Sequence, residues 1–281
     1  MPSFSAQCTS FRDLHASGCF VIPNPWNAGT AKYLRRLGFR ALATTSAGAA
    51  FARGLPDGAV SLSEMLGHIS EIVKTTDLPV NADFGAGFAD EPEEVAENVK
   101  ACVQTGVAGL SIEDATGSDS KPLYEFSLAV DRIKAARAAI DESGSGVLLT
   151  ARAECYLTGH PEPFAESIRR LQAYADAGAH VLYAPGVTKL EEMRKIVAAA
   201  APKPVNILMS SDLGMSVSDL AAMDVRRISV GSALARTAWS GFIRAAKEIA
   251  EQGTFGAFAG LTPHAELDRF FREESTGAAK Q

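Results

Sequence analysis

Eight times along this chain a short apolar run rich in β-formers gives way to a loop and then to an amphipathic helix. That alternation constrains the fold more than any other feature. Strands joined by helical crossovers run parallel, because each crossover returns the chain to the same end of the sheet. The runs are CFVIPN (19–24), ALATTS (41–46), PVNADF (79–84), GLSIED (109–114), GVLLTARAE (146–154), HVLYAPG (180–186), PVNILM (204–209) and RRISVGS (226–232). Each has strand length and is mostly apolar, as strands covered on both faces are.

The helices announce their ends. Residues 92–106 space Val95, Val99, Cys102 and Val103 by three or four and stop at Gly106; residues 163–178 stop at Gly178. Glycine takes the left-handed turn that closes many helices. Ser61 and Glu64 have the spacing of a capping box at the start of 61–74. Eight β–α units in 281 residues fit a closed (β/α)8 barrel of TIM type. A doubly wound open sheet is the alternative. An extra helix at about 6–17 precedes the first strand and another at 263–274 follows the last unit. The chain therefore reads as one barrel domain over 1–281, with 258–281 as a C-terminal extension.

Composition narrows the function classes. A net charge of -6 with no basic block argues against nucleic acid. Cys8, Cys19, Cys102 and Cys155 show no CxxC spacing and read as reduced thiols, which points to a cytoplasmic protein. No apolar run reaches the length of a membrane span, and the first residues lack the features of a signal peptide.

In such barrels the site lies at the C-terminal ends of the strands. Those ends carry Asn24, Thr44, Thr45, Ser46, Asn81, Asp83, Glu113, Asp114, Arg152, Glu154 and Asn206. Asp83 and Glu113, on adjacent strands, offer hard oxygen ligands for Mg²⁺, which needs few protein carboxylates. Arg152 offers a planar fork for a substrate carboxylate. These groups suit a small oxo acid, and a metal on its keto oxygen stabilises an enolate. Plainer roles stand beside these: a helix cap for Asp83, a turn for Asp114, an ion pair with Glu113 or Glu154 for Arg152.

In TTSAG (44–48), LPDG (55–58), NADFGAGF (81–88), GLSIEDATG (109–117), LTARAE (149–154), PVNIL (204–208) and RRISVGSALAR (226–236), the chain resembles the isocitrate lyase/phosphoenolpyruvate mutase superfamily. The order of these stretches on successive strands makes the match specific. The resemblance implies the barrel, an Mg²⁺ site (Mn²⁺ as the alternative ion), and chemistry that makes or breaks C–C or P–C bonds of α-oxo or α-hydroxy acids. It implies that Asp83, Glu113 and the residue at Asn81 hold the metal, partly through water. Asp57 would be the acidic residue near it, a role that stands against a plain Pro-Asp-Gly turn. Ser46, Ala47 and Gly48 would meet the oxo-acid end, Arg152 the carboxylate, and Asn206 the pocket wall; Asp57, Arg152 and Glu113 would be the catalytic set. It also implies a homodimer or homotetramer that exchanges its last helix, here 266–271 (ELDRFF), between subunits.

Departures accompany the match. The family's metal motif reads Asp-x-Asp, and Asn81 replaces the first acid. The loop 115–126 (ATGSDSKPLYEF) lacks the cysteine of isocitrate and methylisocitrate lyases, and Gly186 stands where those lyases place a glutamate. The sequence reading is thus an Mg²⁺-dependent lyase passing through an enolate. A phosphonopyruvate-type mutase or hydrolase is the near alternative, and an oxo-acid-binding barrel without turnover is the alternative of another class.

Overall fold

The computed structural model describes residues 2–276, and all eight expected strands form in it. They are β1 (Phe20–Ile22), β2 (Leu42–Ala43), β3 (Val80–Asp83), β4 (Gly109–Glu113), β5 (Leu148–Arg152), β6 (Val181–Tyr183), β7 (Val205–Leu208) and β8 (Arg227–Ser229). They build one eight-stranded parallel sheet in which β1 pairs with β8. A doubly wound sheet keeps its first and last strands apart, so this pairing makes the sheet a barrel. Short bonds complete the seam between β1 and β2. The Ala43 N–H donates to the Pro23 carbonyl at 3.1 Å, and the Asn24 amide donates to the Thr44 carbonyl at 2.8 Å. The Asn24 oxygen accepts from Val230 and Gly231 beyond β8, so one side chain ties three strand ends.

Helices α1 (Phe4–Ala16), α2 (Ala28–Arg36), α3 (Ser46–Ala52), α4 (Leu62–Thr75), α5 (Pro92–Gln104), α6 (Phe126–Ser143), α7 (Pro163–Asp176), α8 (Leu190–Ala200) and α9 (Val217–Ala221) precede and separate the strands, with α3 and α4 both between β2 and β3. The expected capping box opens α4: the Ser61 N–H donates to the Glu64 carboxylate, and the Glu64 N–H to Ser61 Oγ. Ala82, Leu110, Ile112, Leu149, Ala151, Ile207 and Ile228 pack in the core with Val95, Val99, Ile133, Leu171 and Met193 of the helices. Between them stand Asn81, Asp83, Ser111, Glu113, Thr150, Arg152, Asn206, Arg227 and Ser229. The strands are therefore not apolar on both faces. They alternate, as a period of two requires, and the lumen face is polar.

Helix α1 lies over the start of β4 and β5. A Cβ on Gly109 would sit 2.6 Å from the Phe11 ring and 2.8 Å from Asn81 Oδ1, so the close approach needs glycine. At the opposite ends of the strands, the turn after β3 takes positive φ at Gly85 and Gly87. The Gly85 carbonyl accepts from the Glu113 N–H at 3.0 Å. Fully buried Arg132 donates to the carbonyls of Ala86, Ala89 and Asp90 and so holds the same turn.

The chain forms one compact unit up to Ser232 and a second from Ala233. The second holds α10 (Ala233–Gln252), a 3-10 turn (Gly256–Phe258) and α11 (His264–Thr276). Within it the Glu248 carboxylate accepts from Thr254, Gly256 and Ala257. Trp239, Phe242, Ile243, Phe255, Phe258 and Leu261 are exposed. Among the described residues, no helix is long and apolar enough to cross a membrane.

Buried histidines set the acid limit of this fold. Burial pushes the His68 imidazole down to about 4, and its Nε2 has no partner. Burial and then the Arg227 charge push His15 down to about 3. The unfolded chain binds protons at these groups below a pH of about 6.5, and the native chain does not. Stability is therefore lost as pH falls from that value toward 4. Between pH 7 and pH 5, urea unfolding should show a loss of about 2 kcal/mol for His68 alone, and His68→Leu should shrink the total loss by that amount.

Candidate active site

Arg152, at the end of β5, brings the predicted acids together. Its Nη1 holds Asp83 at 2.8 Å, its Nη2 holds Glu113 at 3.0 Å and its Nε holds Glu154 at 2.8 Å. Both ion-pair alternatives raised for this arginine therefore exist, to Glu113 and to Glu154, with Asp83 in addition. The Tyr183 ring lies under the guanidinium, 5.3 Å from its centroid. Asp83 is fixed from its own side. Its second oxygen accepts from the Ser46 N–H at 2.9 Å, and its N–H donates to Thr44 Oγ1 at 2.9 Å.

The charges do not balance locally. Glu154, Asp83 and Asp57 all act on Glu113, and Asp83 and Asp114 on Glu154, with Arg152 as the cation among them. Burial is the largest influence on Glu113, and the neighbouring acids add to it against Arg152. Together they push its carboxyl up to about 8. Glu154 is raised by the same causes. Burial alone would lower Arg152, but Glu113, Glu154 and Asp83 hold it well above its usual value. Such an acid-rich, half-buried cluster is short of positive charge.

The other predicted residues fall into place unequally. Asp57 sits in an exposed turn, accepts from its neighbour Gly58 at 3.0 Å and lines the cavity at the barrel mouth with Asp83 and Arg152. Its partial burial raises its carboxyl, against a bond from the Ser46 side chain. Ser46 and Ala47 line the cavity, but Gly48 is buried and its N–H is spent on the Thr45 side chain. The Ser46 N–H is spent on Asp83, which leaves Ala47 as the open donor of the α3 first turn. Asn206 lines the cavity and donates to Ser229 at 2.9 Å. Asn81 also lines it. Its Nδ2 donates to the Ala82 carbonyl, while its Oδ1 is buried without a partner.

The surplus carboxylates fit a small hard cation such as Mg²⁺, which takes oxygen donors and keeps waters; the orphan Asn81 oxygen lies in the same cavity, on the side of Gly109. Among the described residues no three His, Cys, Asp or Glu side chains close around one point; Arg152 stands between the acids. A second cavity adjoins the first, with Asp57, Glu113, Arg152 and Glu154 on one side and Val60, Met65, Phe84, Phe88 and Leu157 on the other.

Several lumen residues were not singled out from the sequence: Ser111, Thr150, Tyr183, Arg227 and Ser229. The signal was present. In N-A-D, S-I-E, T-A-R and R-I-S every second residue is polar, which marks one face of a strand.

A family model described as phosphoenolpyruvate phosphomutase matches residues 11–250. The chain belongs to the phosphoenolpyruvate mutase family. The 2-methylisocitrate lyase of Escherichia coli K12 is 33% identical over 182 residues, spanning 62% of this chain and 60% of that enzyme. A candidate lyase/mutase of Burkholderia cenocepacia J2315 is 45% identical, with a TM-score of 0.92 over 96% of this chain and 97% of the other. A 2,3-dimethylmalate lyase, itself placed in the isocitrate lyase/phosphoenolpyruvate mutase superfamily, is 26% identical with a TM-score of 0.83, covering 100% and 99% of the two chains.

Within this family frame the 115–126 loop is short and pinned. Ala115 bridges Leu123, and the Thr116 N–H donates to the Pro122 carbonyl at 3.0 Å. Cys155 is buried and its thiol is pushed up to about 11 by that burial, so it is no ready nucleophile. Asp114, a strand-end candidate whose plainer role was a turn, is a buried anchor. It accepts from the Glu154 N–H at 2.8 Å, from Arg170 at 3.0 Å and from the Tyr174 hydroxyl at 2.5 Å. Asp114→Ala would leave Arg170 with Glu166 and the Tyr124 carbonyl alone, strand the Tyr174 hydroxyl and free the Glu154 backbone. Urea denaturation should show a loss of about 3 kcal/mol.

Proposed function

We propose that the chain is an Mg²⁺-dependent lyase that cleaves a C–C bond of a small α-oxo or α-hydroxy acid through an enolate. The observation that carries the reading is the gathering of Asp83, Glu113 and Glu154 around Arg152 at one mouth of the barrel, with Asp57 at the rim. Asp83, Glu113 and the Asn81 oxygen would hold the ion, directly or through water. When bound, Mg²⁺ (or Mn²⁺) supplies the positive charge that stabilises an enolate. Arg152 keeps the acids in place, and a guanidinium has five N–H donors, so two remain to orient the substrate. Ser46, Ala47 and Gly48 shape the docking segment through the α3 first turn, with Ala47 donating, and Asn206 lines the wall. Asp57 and Glu113, whose carboxyls burial raises, suit proton transfer at the reacting end.

Two features favour other readings. A phosphonopyruvate-type mutase or hydrolase acting on a P–C bond is the near alternative, and the loop without the lyase cysteine favours a barrel that binds without turnover. Asn81, in place of an acid, weakens the metal site and favours a barrel that binds an oxo acid without turnover. The exposed Trp239, Phe242 and Ile243 of α10 favour a homodimer or homotetramer.

Purified protein assayed with Mg²⁺ against oxaloacetate, alkylmalates and phosphonopyruvate separates these readings. The lyase reading expects turnover of a C–C substrate that chelator abolishes and that Asp83→Ala lowers about 100-fold or more. Turnover of phosphonopyruvate alone selects P–C chemistry. Oxalate protection against heat with no turnover selects the binding barrel.

A further inference from the structure

Arg227 is a second arginine in the same lumen, and no acid answers it. It opens β8, is 3% exposed and lines the cavity that contains Arg152. Its Nε donates to Asn206 Oδ1 at 2.8 Å, its Nη2 to Thr150 Oγ1 at 3.0 Å, and its Nη1 faces His15 Nε2 at 3.5 Å. All three partners are neutral. Burial and the Arg227 charge keep His15 neutral; its Nδ1–H donates to the Phe11 carbonyl at 2.7 Å, which leaves the Nε2 lone pair toward the arginine. Among the described residues, no carboxylate makes an ion pair with Arg227. Burial lowers the guanidinium to about 10, so the group is still charged at neutral pH.

A buried cation held by neutral dipoles alone is costly. Such a charge is stabilised when an anion reaches it. The strand register shows how one can. Glu113 pairs with Arg152, Arg152 with Tyr183, Tyr183 with Asn206, and Asn206 with Arg227. Strands tilt in a barrel, so this lateral row descends from the acid-rich mouth to the end nearest α1. Along it the charge changes sign. Acids outnumber Arg152 at the top, while Arg227 at the bottom has only neutral partners.

We propose that Arg227 is an anion anchor at the closed end of the lumen, taking one carboxylate of a small dicarboxylate whose other end lies at Arg152. Only the fate of that upper end rests on the lyase reading. The anchor needs no metal, which allows a test without one.

Oxalate and malonate are titrated into full-length protein in EDTA, by calorimetry and by thermal shift. Wild type binds at least one of them. Asn206→Asp places a carboxylate where Arg227 Nε already bonds and neutralises it in place. Binding then weakens about tenfold or more while the unfolding temperature holds or rises. Because the new acid also repels the ligand directly, Arg227 is varied too. Arg227→Met loses binding to the same extent, and Arg227→Lys, which keeps the charge, binds measurably better than Arg227→Met. Circular dichroism confirms that each variant is folded. A structural strut predicts the opposite pattern. Metal-free wild type that binds neither dianion, Asn206→Asp with unchanged affinity, or Arg227→Lys no better than Arg227→Met would each overturn the anchor. If the anchor pattern holds but no oxo acid turns over with Mg²⁺, the lyase reading fails and the anchor stands.

Discussion

The grip of Arg152 on Asp83, Glu113 and Glu154 organises the mouth of the barrel. One planar group holds carboxylates from β3, β4 and the segment after β5, and each of those residues is held again from elsewhere, Glu113 through its N–H to the Gly85 carbonyl. Asp83 takes the Ser46 N–H, which ties in the start of α3. The Glu154 backbone donates to Asp114, which is in turn held by Arg170 and Tyr174 of α7. A fork with fixed geometry can do this; a single ammonium cannot. The arrangement positions the acids before any ligand arrives. It leaves them short of positive charge, and that shortage is the electrostatic reason to expect a cation there.

The fold was legible because its signal repeats. Eight apolar runs separated by helical periods specify a parallel sheet, and each run proved to contain a strand. Strand ends were read too long: β2 spans Leu42–Ala43 where 41–46 was expected. Thr45 leaves the strand early because its side chain caps α3 by accepting from Gly48. The resemblance to the mutase family rested on motif order and was met by the family match over residues 11–250.

The candidate site was legible in part. Asp83, Glu113 and Arg152 stood at strand ends as charges that needed partners, and the structure brings them into contact. Arg227 was passed over because it opens its strand, where a charge looks like a loop residue. Only the register, which places it opposite Asn206, shows that it faces the lumen. The anchoring role of Asp114 was hidden for a similar reason. Its partners Arg170 and Tyr174 lie 56 and 60 residues away, and no local pattern announces such contacts. The Asn81 amide shows the reverse case. Its chemistry was plain in the sequence, but its unpaired oxygen is a fact of packing against Gly109.

The Asn24 carboxamide has a consequence for synthesis. It meets Val230, 206 residues further along, while its other end holds Thr44 nearby. A nascent chain emerging from the ribosome carries this amide with its distant acceptor contacts unmade until nearly the whole cylinder has been translated. Until then the growing sheet has two raw borders, one at each end of its strand order. A single early asparagine thus registers the arrival of the last strand and locks the ring only when every stave is present.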